Sequence, residues 1–155
     1  MSKPVAVITG ASRGIGRSIA IKFASNGFDL FIGGTNPNTL KELQSELEHD
    51  FQCKCSYFAA DLSVENQCQS FVDAILNQYS NIDVLVNNAG IGYFGAVEES
   101  EDDEVRRMFD INVFGLADVT NAVLPHMRNR RSGHILNIAS IKKLFYRVYW
   151  IHTQL

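Results

Sequence analysis

The stretch VITGASRGIGRSIA, Val7–Ala20, decides the fold through the order in which apolar, glycine and helix-forming residues follow one another. The run 5–9 has the β-branched, apolar composition of a strand and stops at Gly10, and a helical pattern opens near Gly14 and Gly16. A strand that turns on glycines into a helix offers the unpaired N–H groups of the first helical turn, and the positive end of the helix dipole, at the strand's carboxyl end. That arrangement suits a phosphate. Gly10 permits the tight turn, Gly14 lets the backbone approach a pyrophosphate with no Cβ in the way, and Gly16 lets the helix pack closely. Thr9, Ser12, Arg13 and Ile15 belong to the same loop and join the three glycines as candidate ligand-binding residues.

Outward from this loop, strand-like runs at 5–9, 28–32, 53–59, 82–87 and 134–139 alternate with helical patterns at 14–25, 39–49, 64–79 and about 103–130. Alternation of this kind predicts βαβ units and an α/β class fold, a Rossmann-type three-layer α/β/α arrangement with a mostly parallel sheet that stops after the fifth strand. Asn38 ahead of Thr39 and Ser63 ahead of Glu65 are the expected caps of two helices, and Pro125 is the point at which the last helix should bend or end. Residues 1–141 form the expected dinucleotide-binding domain, incomplete at its end, and 142–155 a divergent aromatic and basic tail. The acidic cluster from Glu98 to Glu104 reads as a solvated loop and helix start.

The 155 residues are 46% hydrophobic and 20% charged, which gives a globular chain with room for one domain. A formal net charge of −3 and a pI near 5.8 supply no basic surface, so no nucleic-acid partner is expected. The apolar run at 5–8 is too short for a membrane span or signal peptide, which places the chain in the cytoplasm. Cys53, Cys55 and Cys68 are odd in number and lack paired C-x-x-C spacing, and the histidines lack metal-ligand spacing. Neither a disulfide framework nor a metal is expected.

Three residues separate Gly10 from Gly14 and one separates Gly14 from Gly16, unlike the commoner G-x-G-x-x-G order. This T-G-x-x-x-G-x-G pattern at Thr9–Gly16, NNAG at Asn87–Gly90, Asn112 within DINVFG and Ser140 closing ILNIAS occur in order along the chain. In these motifs the chain resembles the N-terminal portion of the short-chain dehydrogenases/reductases, from Val5 to about Ile141. The resemblance implies a nicotinamide dinucleotide cofactor, with Asp61 and Leu62 flanking its adenine and Asn87, Ala89 and Gly90 lining the cleft. It further implies that Ser140 polarises the substrate oxygen and that Asn112 holds a proton-relay water.

Cofactor choice turns on the end of the second strand, GGTNPN at Gly33–Asn38. An NAD enzyme usually places an acid there for the ribose hydroxyls, and Thr35 and Asn36 stand in its place. Asp29 lies at the wrong end of the strand, whereas Arg13 sits inside the glycine loop, where it could pair with a 2′-phosphate. NADP is therefore expected ahead of NAD; the alternative is a solvated Arg13 and a site open to either.

In the family the serine is followed by Y-x-x-x-K, whose lysine favours the phenolate of a tyrosine that otherwise titrates near pH 10. Here Ser140 is followed by IKKLFYRVYWIHTQL, in which Tyr146 meets Trp150 and Tyr149 meets Thr153 four residues on. The expectation is an NADP-dependent oxidoreductase by descent, acting on a small-molecule carbonyl or alcohol and impaired by truncation; the alternative is a non-catalytic NADP(H)-binding or interaction protein. The glycine spacing and NNAG disfavour a sugar-nucleotide epimerase. A homo-oligomer is compatible with a full-length form, and the fifth strand is expected to form an open sheet edge with low solubility.

Overall fold

The computed structural model describes residues 3–93 and 96–139. Five strands, β1 (Val5–Ile8), β2 (Asp29–Gly34), β3 (Cys55–Ala59), β4 (Val84–Asn87) and β5 (His134–Asn137), form one sheet in the order β3-β2-β1-β4-β5. Every pairing is parallel, with Val5 opposite Asp29 and Ile8 opposite both Ile32 and Val86. Helices α1 (Gly14–Ser25), α2 (Pro37–Phe51), α3 (Glu65–Gln78), α4 (Asp102–Phe109) and α5 (Leu116–Arg130) supply the crossovers.

All four residues of β1 are buried, and their alternation feeds two separate cores. Val5 and Val7 pack with Phe31, Leu85, Phe71 and Val72 beneath α3 and α5, whereas Ala6 and Ile8 pack with Leu30, Val86 and the α2 leucines Leu40, Leu43 and Leu47. A strand buried on both faces needs apolar side chains at every position, which VAVI provides. From β1 the chain runs outward to β2 and β3, then crosses back to β4 and β5 on the other side. The order reverses between β1 and β4, and a crevice opens beyond their carboxyl ends at such a point.

Two expected caps are replaced. The Asn36 side chain caps α2, accepting from the backbone N–H groups of Asn38 at 2.9 Å and Thr39 at 3.3 Å. Pro37 explains the earlier start, because its fixed φ and missing N–H suit the first helical position. Ser63 does not cap α3; its backbone N–H and hydroxyl both donate to Asp61 Oδ1. The long fourth helix is continuous in helical path but passes through one π-helical stretch, Asp110–Gly115, between α4 and α5. Pro125 does not end α5, which continues to Arg130 and buries Val119, Val123 and Met127 along one side. That buried stripe on either side of the proline compensates for the single backbone bond it removes.

Cys53, Cys55 and Cys68 are free and buried. Burial pushes the Cys68 thiol up to about 11, and raises those of Cys53 and Cys55 too, so all three are poor nucleophiles. Among the described residues β5 is an outer strand, and Leu136 on it is 45% exposed. Among the described residues no helix is long and apolar enough to cross a membrane.

Candidate cofactor site

A cleft of about 290 Å³ lies at the reversal point. Gly10, Arg13 and Ile15 form one wall, Asn88, Ala89 and Gly90 the other, and Ile138 and Ala139 close it beyond β5. Residues from the glycine loop and from NNAG, 78 positions apart between Gly10 and Asn88, thus meet in one place. A larger groove of about 420 Å³ on α4 and the π-helical stretch, lined by Phe109, Phe114 and charged neighbours, shares no residue with it.

The two loops are stitched together by polar contacts. Thr9 is 2% exposed, and its hydroxyl oxygen accepts from the backbone N–H groups of Asn88 and Ala89, both at 3.0 Å. In return the Asn88 side-chain amide donates to the carbonyls of Thr9 at 3.1 Å and Gly10 at 3.0 Å. Buried backbone groups at a strand end must find partners, and here each loop supplies them to the other.

The three glycines are glycines for different reasons. Gly10 has φ +64°, and a Cβ on it would stand 2.7 Å from Ala89 Cα. A Cβ on Gly16 would collide with the Gly10 carbonyl and the Asn88 amide, so this residue admits the neighbouring loop as much as the sheet. Gly14, at φ +56°, has nothing within 4 Å of where its Cβ would be. Its missing side chain leaves open space next to a helix start. Arg13, the residue before α1, makes no side-chain cap, and among the described residues it has no ion-pair partner. The opening N–H groups of α1 and a nearby guanidinium are thereby left for an anion. These residues fit a dinucleotide: an uncapped helix start, a cradle that a Cβ would fill, and a cation.

Towards β2, Ser12 sits beside Gly34, its Oγ 3.4 Å from where a Cβ would be. Thr35 follows directly, and Asn36 spends its side-chain oxygen on the α2 cap. Asp29 accepts from the backbone N–H of Lys54 at 2.8 Å, tying together the far ends of β2 and β3.

Asp61 and Leu62 follow β3. Burial opposes ionisation of the Asp61 carboxyl, but the Arg107 guanidinium and the Ser63 hydrogen bonds outweigh it and hold the group below its ordinary range. Leu62 packs against the α3–α5 core, and its carbonyl meets Gly115, where a Cβ would collide with it. Asn112 lies in the π-helical stretch with both polar atoms committed, Oδ1 accepting from Ile91 N at 3.0 Å and Nδ2 donating to Ile91 O at 2.9 Å. Asn87, 3% exposed, donates to Thr120 Oγ1 and to Asn137 Oδ1, both at 2.9 Å. Ser140 lies outside the described residues.

Sequence reading did not single out Asn88, Arg107, Thr120 or Asn137. Their partners lie between 33 and 79 positions away, so only the NNAG motif carried a signal, and that for Asn88 alone.

A doubly wound parallel sheet with a glycine-rich turn at its order reversal defines a Rossmann-type fold. The short chain dehydrogenase family model matches residues 4–151, and the chain belongs to that family. It is 36% identical over 137 residues to an uncharacterized oxidoreductase of Staphylococcus saprophyticus, covering 88% of this chain and 54% of that one. It is also 36% identical over 146 residues to dehydrogenase/reductase SDR family member 7B of Bos taurus, covering 89% and 44%. Among solved structures, L-sorbose reductase from Gluconobacter frateurii complexed with NADPH and L-sorbose superposes with a TM-score of 0.87 at 30% identity, covering 91% of this chain and 54% of that one. An alcohol dehydrogenase from the archaeon Thermococcus sibiricus complexed with 5-hydroxy-NADP gives 0.85 at 34%, covering 88% and 57%. The chain spans about half the length of these relatives.

Proposed function

We propose that the chain is the cofactor-binding portion of an NADP(H)-dependent oxidoreductase, one that moves hydride between the nicotinamide and a carbonyl or alcohol carbon. The observation that carries this reading is the open space at Gly14, at a positive φ and beside the uncapped start of α1. Thr9, Gly10, Ser12, Gly14, Ile15 and Gly16 shape the pyrophosphate cradle. Arg13 takes the 2′-phosphate, since Thr35 and Asn36 offer no carboxylate that would repel it. Solved relatives complexed with NADPH and with 5-hydroxy-NADP support NADP, although an NAD+-bound xylitol dehydrogenase also superposes with a TM-score of 0.85.

The bound nicotinamide supplies the hydride acceptor or donor. Asn88, Ala89 and Gly90 form the cleft wall; Asn87, expected there, instead braces Thr120 and Asn137 from a buried position, and Asp61 with Leu62 borders the adenine. Asn112 holds the loop after Gly90 through its two bonds to Ile91 and is the residue proposed to hold a relay water, since its Oδ1 and Nδ2 each keep one further hydrogen-bonding site. Ser140 is the residue proposed to polarise the substrate oxygen.

A second reading, non-catalytic binding of NADP(H), rests on Tyr146 and Tyr149, which follow Ser140 and have Trp150 and Thr153 four residues on. Fluorescence titration of the 155-residue chain with NADPH and NADH tests the cofactor, and NADPH oxidation against a panel of ketones separates the two readings. NADPH should bind more tightly than NADH, and Arg13→Ala should reduce that preference about tenfold, the value of one charge-assisted contact. Equal affinities in the parent chain would sink the NADP assignment.

A further inference from the structure

β3 ends the sheet beyond β2, so among the described residues one of its two rows of backbone groups faces no other strand. In a parallel ladder, alternate residues turn both N–H and carbonyl to the same side. Leu30 N donates to the Lys54 carbonyl at 2.8 Å, and Ala60 N donates to the Gly34 carbonyl at 2.9 Å. With Leu30 opposite Cys55 and Gly34 opposite Ala59, the even-numbered residues of 54–60 serve β2, and Cys55, Tyr57 and Ala59 turn their groups outward.

A row of unpaired N–H and carbonyl groups is a template for a strand of another chain. At Cys55 that row is closed from within. Gln44 Nε2 donates to the Cys55 carbonyl at 2.6 Å, and the Cys55 N–H donates to Glu48 Oε1 at 3.2 Å. Gln44 and Glu48 stand four residues apart on one flank of α2, while Leu40, Leu43 and Leu47 are its buried residues. One helix therefore covers the sheet's face with leucine and reaches round its edge with a donor for the carbonyl and an acceptor for the N–H. Tyr57 and Ala59 lack such cover: among the described residues their backbone groups have no protein partner.

The outward residues are spaced evenly about Tyr57, which makes the edge self-complementary. A two-fold axis at Tyr57 would set a second copy antiparallel, with Cys55 opposite Ala59 of the partner subunit. Cys55 would then take part in every facing pair except the central one, and each pair exchanges both its N–H groups. With Cys55 occupied, only a shorter register stays open, Tyr57 opposite Ala59 of the partner subunit. We propose that Gln44 and Glu48 form an edge guard that keeps this chain from pairing with a second copy of itself through β3. The guard shares no residue with the cofactor cleft, so it stands whether or not a dinucleotide binds.

The test opens the edge with Gln44→Ala and Glu48→Ala together in the 155-residue chain. Analytical ultracentrifugation reads association, and amide hydrogen exchange shows where it occurs. The self-association constant should rise about tenfold, as two freed backbone groups supply. In the double variant the Tyr57 and Ala59 amides should gain protection as concentration rises, whereas in the parent they should exchange freely at every concentration. Adding Ala59→Pro removes an outward N–H but no bond to β2, and should return association to the parent's value. Association that leaves the Tyr57 and Ala59 amides unprotected comes from another surface, such as exposed Leu136 on β5, and overturns the proposal. Unchanged association overturns it too, as does concentration-dependent protection of these amides in the parent, where the guard would be holding nothing back. Should the double variant not fold, Gln44→Leu keeps most of the bulk while freeing the Cys55 carbonyl and should raise the constant about threefold; no rise there counts against the proposal equally.

Discussion

Substituting Gly14 and Gly16 separately distinguishes a glycine kept for a ligand from one kept for packing. A Cβ on Gly16 collides with the Gly10 carbonyl and the Asn88 amide, and neither belongs to a flexible side-chain end free to swing away. Overpacking of this kind costs about 1–3 kcal/mol, offset by roughly 0.5–1 kcal/mol of helix propensity gained on replacing glycine. Gly16→Ala should therefore lose about 1–2 kcal/mol net. For a chain of this size that lowers Tm by roughly 2–8 °C. Gly14→Asn meets no neighbour, and asparagine tolerates the left-handed backbone, so its cost on folding should stay below about 1 kcal/mol.

The ligand reverses the ranking. NADPH at about a hundred times its Kd stabilises the parent by about 2.7 kcal/mol, or roughly 5–11 °C. The Gly14→Asn side chain fills the space proposed for the pyrophosphate, so this rise should shrink to no more than about 2 °C. Differential scanning fluorimetry of both variants, with and without NADPH, reads all four values. An undiminished NADPH-induced rise in Gly14→Asn would refute the phosphate argument, and a Gly16→Ala chain as stable as the parent would refute the steric one.

Three further outcomes follow from named contacts. Thr9→Val should destabilise by about 2–4 kcal/mol, since it strands the buried N–H groups of Asn88 and Ala89, whereas Thr9→Ser should cost under about 1 kcal/mol; urea unfolding compares them. Asn112→Asp keeps the acceptor for Ile91 N but sets a carboxylate oxygen against Ile91 O, so a loss of about 2–3 kcal/mol at neutral pH should ease as acid protonates the group. The contacts of Asp61 with Ser63 and Arg107 contribute with the opposite sense. The Asp61 carboxyl is depressed in the folded chain, so the stability it adds is present above the unfolded value of about 3.9 and lost as pH falls through the lower folded value. With partly exposed partners that amounts to at most about 1 kcal/mol. In chemical denaturation the gap between the parent and Arg107→Met should therefore begin to narrow near pH 4 and close as pH falls through the lower folded value; a gap that stays constant as pH falls below about 4 contradicts the assignment.

Local signals were legible. The bounds of α1 and the parallel sheet implied by βαβ alternation follow from glycine placement and apolar runs, because both are set by residues adjacent in sequence. The α2 cap was legible in principle and misread: Pro37 at the first helical position points to Asn36, and the competing Asn38–Thr39 pair obscured it. The π-helical stretch left no trace, since one extra residue in a turn barely disturbs a pattern of apolar positions in which only Ile111 and Gly115 are buried. Arg107 was illegible for another reason. A cation in the last turn of a helix is ordinary, and its partner lies 46 positions away.

What holds the cleft open is polar. The walls meet through Thr9 and Asn88, the rim after Gly90 hangs on Asn112, and the ends of β4 and β5 are joined by Asn87, Thr120 and Asn137. An apolar floor of equal volume would be simpler to pack, but it would leave the strand-end N–H and carbonyl groups without partners in a region that water must leave when a ligand enters. Threonine and asparagine solve both problems, because each satisfies two backbone groups on the facing loop and so fixes the separation of the two loops. The Asn87 Oδ1 atom is buried without a partner among the described residues, a cost the network carries while both Nδ2 hydrogens brace the strand ends. Directional bonds of this kind preorganise a site in a way that dispersion contacts do not, so the loops need little rearrangement when a dinucleotide arrives. Disruption of the Thr9–Asn88 pair should accordingly weaken NADPH binding beyond its effect on folding, whereas cavities made in the α2 leucines should lower stability and leave the affinity of the folded chain unchanged.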